Sequence, residues 1–219
     1  MNDTPSPPAQ PGRIMWGRII SLAGAAGLCV SFFLPNIDIM TTGAPVELIG
    51  NTSLLPLAKS SYIVIPPFIG AALLLPVLAF RASPHVDASK SGGTLLAWAQ
   101  CVISLAVLIL SLAWVTWMLV DVAFNPPASV LAIVYAIAAE GFLVLVLTVM
   151  SLIRSRLARK AAATLFALWS YYLVFFICLA TTHGPFYIGL WLSLAASGAL
   201  VIGSAIDWFQ CRPVKETLR

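Results

Sequence analysis

Glu140 is the residue of this sequence with the most chemistry in it. It stands near the centre of residues 129–153, an apolar run with no other charged side chain. An ionisable group at that depth costs roughly 3 kcal/mol or more on insertion scales, and such groups face a bundle interior or a polar path. At spacings of four and eight, Glu140 shares a helical face with Ala136 and Ala132, small residues that admit a neighbouring helix. The polar side chains expected at similar depth are Ser104, Ser170, Tyr171, Tyr172 and Ser197. The candidate intramembrane binding site is therefore Glu140 with Ser104, Tyr171, Tyr172 and Ser197.

Two chemistries fit that set, which contains no cation. Glu140 is either a neutral acid donating a hydrogen bond inside the bundle, or an ionised one meeting water or a passing cation. The first role is structural and the second is transport. Transport sites gather several strongly polar groups, and only hydroxyls are on offer here, so the structural role is favoured.

Other chemistries fail on inventory. The two histidines, His85 and His183, are expected on opposite sides of a membrane, and no HExxH or paired-acid motif accompanies them, so no metal site is expected. Neither a Walker A loop nor GxGxxG occurs, and no cofactor is expected. Ala196-Ser197-Gly198 with His183-Gly184 is faintly similar to the motifs of rhomboid proteases. That family places its serine in Gly-x-Ser-Gly, upstream of the histidine, whereas here Ser197 follows His183 and Ala195 replaces the first glycine. Ser197 would also lie mid-span and His183 in an outer turn, out of hydrogen-bond reach. The chain is therefore read as not an enzyme. Cys29, Cys101, Cys178 and Cys211 form no CxxC pair and read as free thiols.

The elements that must position these residues follow from composition. Hydrophobic residues make up 60% of the 219 and charged residues 9%, against about 25% charged in a soluble domain. Mean hydropathy is +0.97. This is the composition of an all-α polytopic integral membrane protein. Segments of about 20 apolar residues are placed near residues 14–34, 62–80, 94–120, 129–153, 161–181 and 185–209, a bundle of six transmembrane helices. Asn125-Pro126-Pro127 and Gly184-Pro185 punctuate otherwise continuous apolar sequence. Residues 1–13 and 210–219 form polar tails, the first rich in proline.

Charge sets the orientation. With the N-terminus cytoplasmic, the inner segments hold every lysine and arginine except Lys59, so both termini are expected inside. Trp16, Trp98 and Trp208 then fall at the inner interface and Trp114 and Trp117 at the outer one. Asp121, at the outer end of the third segment, reads as an interfacial charge. The basic residues lie in short connecting segments, so no nucleic-acid surface is expected. The cluster from Arg154 to Lys160 suits anionic headgroups but is also what a short inner loop requires.

Small residues concentrate in the first segment (Gly17, Ser21, Gly24, Gly27) and the last (Ser193, Ala196, Ser197, Gly203), and both should pack closely against other helices. The outer loop, residues 35–61, is the expected recognition surface. It contains two β-prone runs and a glycosylation sequon at Asn51. The expected partners are the lipid bilayer and a membrane protein or a second copy of the chain. Short loops and the lack of a soluble domain suit a bacterial inner membrane. The function expected is that of a non-enzymatic membrane subunit or scaffold; the alternative is a small proton- or cation-coupled transporter or channel using Glu140.

Overall fold

The computed structural model describes residues 15–34, 65–83, 90–122, 135, 138–146, 148–149, 157–183 and 188–210. Among these residues every regular element is helical. In chain order they are α1 (Trp16–Ser31), α2 (Ile65–Ala82), α3 (Lys90–Val122), α4 (residues 138–146), α5 (Leu157–His183) and α6 (Ile188–Gln210). Backbone polar groups in hydrocarbon find no water, so a chain this apolar satisfies them internally by coiling. Pro66 and Pro67 fall in the first turn of α2, where a missing amide N–H costs nothing, while Pro76 lies inside that helix. Helix α5 stops at His183, immediately before Gly184-Pro185.

Four of the helices are long and apolar enough to cross a membrane: α2, α5 and α6 over most or all of their length, and α3 over Gly92–Ala113. Helix α1 is apolar but only 16 residues long, shorter than the expected segment 14–34. At its end the Phe32 N–H donates to the Leu28 carbonyl, after which the chain turns.

Helix directions alternate. At one end of the bundle, Ser193 near the start of α6 donates to Ser31 at the end of α1 at 3.0 Å. Phe32, just past α1, meets Phe68 at the start of α2 with ring centroids 5.5 Å apart, and Phe68 meets Phe176, late in α5, at 6.2 Å. At the opposite end, Arg18, Arg81, Gln100, Ala161 and Asp207 converge. Helices α1, α3 and α5 therefore run one way, and α2 and α6 the other. Helix α4 runs with the latter: Glu140 is near Tyr171, while Val144 and Thr148 lie beside the earlier part of α5, from Ala163 to Ser170.

The core lies between α1, α2, α3, α5 and α6. Trp169, Tyr171, Tyr172 and Phe176 are its largest fully enclosed members, with Leu28, Leu74, Leu78, Leu108, Leu168 and Leu200 packed among them. Trp169, the mid-segment tryptophan, packs on Tyr172 at 5.5 Å. The most extensive packing is between α1 and α6, as their small residues require. A Cβ added at Gly17 or at Gly203 would come within 2.6 Å of the other's carbonyl oxygen, and one at Gly24 within 2.7 Å of the Ala196 carbonyl. Only glycine lets these backbones touch. In lipid, where tails are as apolar as leucine, such van der Waals fit drives association.

Candidate functional site

Two polar regions stand out, and they differ in how their charges are met. The first is a closed cluster at one end of the bundle. Asp207, one turn from the end of α6, places one carboxylate oxygen against each of two arginines. Arg18 Nε of α1 lies 3.4 Å from Oδ1, and Arg81 NH2 of α2 lies 3.5 Å from Oδ2. All three side chains are buried, at 8% exposure or less. Arg18 also donates to the Arg81 carbonyl at 2.8 Å, in the last turn of α2, where the helix dipole presents negative charge. Arg81 donates to the Gln100 side-chain oxygen, and the Gln100 amide donates in turn to the Ala161 carbonyl of α5 at 2.8 Å. Two arginines face a single carboxylate; the Arg81 carbonyl accepts one further donor from Arg18, and the Gln100 side-chain oxygen accepts one from Arg81.

This cluster ties five helices together. The geometry needs α1 and α6 in backbone contact, and Gly17 supplies it: a Cβ there would meet the Asp207 backbone N–H group at 2.5 Å. Next to it, Ala97, Cys101 and Ala161 form a small apolar layer, and the Thr164 hydroxyl donates to the Ala161 carbonyl at 3.1 Å. Charges this well enclosed contribute specificity of arrangement more than net stability, because desolvation offsets most of their attraction.

The second region surrounds Glu140 on α4. Its side chain is half-buried, and Tyr171 and Cys178 of α5 lie within electrostatic reach. The neighbouring Gly141 packs against Leu112 of α3 and Tyr171. Among the described residues, no hydrogen bond or ion pair reaches the carboxyl. The expected hydroxyls are disposed as follows. Tyr171 is beside Glu140; the Tyr172 hydroxyl is bonded to Ser111 of α3. Ser197 donates to the Ser193 carbonyl one turn earlier in its own helix, at 2.7 Å. Ser104 is buried without a hydrogen-bond partner among the described residues, as is the Trp169 indole N–H. Ser170, on α5, lines a cleft. The structure thus brings one of the five hydroxyls to Glu140.

Two apolar clefts flank α4. One, of about 430 Å³, lies between α3 and α4 and is lined by Ile109, Leu112, Thr116, Ala138, Phe142 and Leu145 among others. The other, of about 370 Å³, lies between α4, α5 and α6, with Val144, Ala163, Phe166, Ala167, Ser170 and Trp208 in its wall. Glu140 and Val144 lie on one stripe of α4, which Thr148 continues at the same interval of four, so Glu140 stands one turn beyond this second cleft.

The arginine–aspartate cluster is absent from the expectations drawn from sequence, which counted Arg18 and Arg81 only as orientation signals. Its traces were an aspartate and a glutamine inside apolar segments, Asp207 and Gln100. Among the described residues no group of three or more histidine, cysteine, aspartate or glutamate side chains could hold a metal ion. Among the described residues Cys29, Cys101 and Cys178 form no disulfide. The loop at residues 35–61, His85, Cys211 and both tails lie outside the described residues, as do the side chains of Trp114, Trp117, Asp121 and His183. Compared with known proteins, the chain matches no family model, no curated protein and no solved structure.

Proposed function

We propose that the chain is a six-span membrane protein with both termini cytoplasmic, acting as a non-enzymatic subunit that joins a partner protein along α4. One observation carries this reading: the Glu140 carboxyl, deep in an apolar segment and half-exposed, meets no donor within its own chain among the described residues. Among the described residues, the buried charges Arg18, Arg81 and Asp207 are tied to one another across helices. A carboxyl left open at such depth is satisfied by a donor from outside. The alternating helix directions and the bias of basic residues to one set of connecting segments support the six-span, both-ends-inside arrangement. A bacterial inner membrane suits the short connections.

The transport alternative needs a polar route to Glu140. The two clefts beside α4 are walled mainly by apolar side chains, so the balance of support goes to the subunit.

Native mass spectrometry of the tagged protein, extracted gently from its own membrane, tests the proposal. A second polypeptide at fixed stoichiometry supports it, and loss of that polypeptide in Glu140→Leu but not Glu140→Gln assigns the contact to α4. A lone monomer sinks it. A pH-dependent flux in proteoliposomes abolished by Glu140→Gln would replace it with transport.

A further inference from the structure

We propose that the cleft between α4, α5 and α6 holds one acyl chain of an anionic glycerophospholipid, with the headgroup at Arg159 and Lys160. The proposal rests on the reading of the chain as a membrane protein with this end of the bundle cytoplasmic. It does not depend on the protein partner at Glu140.

The argument begins with size. The α5 residues lining the cleft, Ala163 to Ser170, span about 10 Å of helix axis at 1.5 Å per residue. The cleft, of about 370 Å³, is open to the surroundings along that length, so a hydrocarbon chain from the bilayer can lie in it. The walls suit such a chain, being Val144, Ala163, Phe166, Ala167 and Phe209 with few polar atoms.

Charge selects the headgroup. Arg159 precedes Ala163 by four residues, so it lies on the face of α5 that lines the cleft, one turn nearer the bundle end that carries the arginine–aspartate cluster. Lys160 flanks it, and both side chains are partly exposed. Trp208, in the cleft wall near the end of α6, has the amphipathic ring favoured at headgroup level. The sequence extends the basic character past both helix ends, with Arg154 and Arg156 before α5 and Arg212 after α6. Basic pockets between spans on the cytoplasmic side are suited to anionic lipid headgroups. Among the described residues, the wall of the other cleft, between α3 and α4, holds no charged side chain, so the same argument does not extend to it.

The test uses the full-length protein in nanodiscs of equimolar phosphatidylglycerol and phosphatidylcholine, then released into detergent for native mass spectrometry. Carbonate extraction of the host membranes, done first, checks only the membrane reading. The proposal expects one phosphatidylglycerol retained per chain in preference to phosphatidylcholine. Arg159→Gln should lower that retention about fivefold, and Ala167→Phe, which fills the cleft, should abolish it for both lipids. Ala163→Leu provides a milder filling if Ala167→Phe fails to fold. Equal retention of the two lipids, or retention unchanged by either filling, means annular lipid only and overturns the proposal. So does a photo-crosslinker at position 166 that labels a polypeptide in the native membrane and no lipid.

Discussion

The seam between α1 and α6 and the flank of α4 treat polar groups in opposite ways. Along the seam, backbones touch through Gly17, Gly24 and Gly203, and the charges of Arg18, Arg81 and Asp207 are enclosed and bonded to one another. Along α4, Glu140 is half-buried with no bonded donor among the described residues, and clefts open on either side. The contrast separates what this chain finishes by itself from what it leaves for its surroundings. A buried charge with its partners supplied in the same chain is part of the fold. A charge at depth without them is, on the function proposed above, the point of attachment for a partner.

The strongest way to break that comparison is to open the closed side. Asp207→Leu leaves two arginines enclosed without their carboxylate, and removing one member of a buried ionic cluster costs about 3–5 kcal/mol. The purified protein in detergent should show a large fall in Tm, and Asp207→Asn, which keeps hydrogen bonding but not charge, a smaller one. An unchanged Tm for Asp207→Leu would mean that the cluster does not hold the helices. Next in size is Gly203→Leu, which forces α6 away from the Gly17 carbonyl and should cost up to about 3 kcal/mol through overpacking. A cysteine cross-link between α1 and α6 should form less readily in that variant, and equal yield would show that the seam tolerates separation. Gln100→Leu is smaller still, at about 1–2 kcal/mol, because it removes the acceptor for Arg81 and the donor to the Ala161 carbonyl. Its Tm should fall less than that of Asp207→Leu, and the reverse order would place the centre of the cluster on α3.

Much of the closed side was legible in the sequence and its chemistry was not. The apolar runs located the helices, Gly184-Pro185 located the end of α5, and the small residues of the first and last segments anticipated the seam. Each of those signals is local. The cluster is a long-range pairing, Arg18 with Asp207 across 189 positions, and one sequence carries no record of which charges meet. Arg18 and Arg81 had a sufficient explanation as orientation signals, which hid their second role. At Glu140 the depth was legible, but the availability of its neighbours was not. Ser197 turns to the carbonyl four residues earlier, a local alternative open to serine in any helix. Tyr172 is taken by Ser111, a choice made by how α3 and α5 pack.

The smallest expected effect is also the one that sharpens the contrast most. If Glu140 has no donor in its own chain, its replacement is a substitution away from any internal network, and such changes stay within about 0.5 kcal/mol. Glu140→Leu and Glu140→Gln should therefore leave the Tm of the isolated chain in detergent nearly unchanged, beside the large fall for Asp207→Leu. In the native membrane the two variants should part. Glutamine keeps a group that can bond to a partner's polar side chain across helices, and leucine does not. Co-purification of the partner should survive the first change and fail in the second. A fall in Tm for the isolated Glu140→Leu chain comparable with that of Gln100→Leu would place a donor to Glu140 inside the chain. The flank of α4 would then be a second closed region, and the distinction between the two sides of the bundle would be lost.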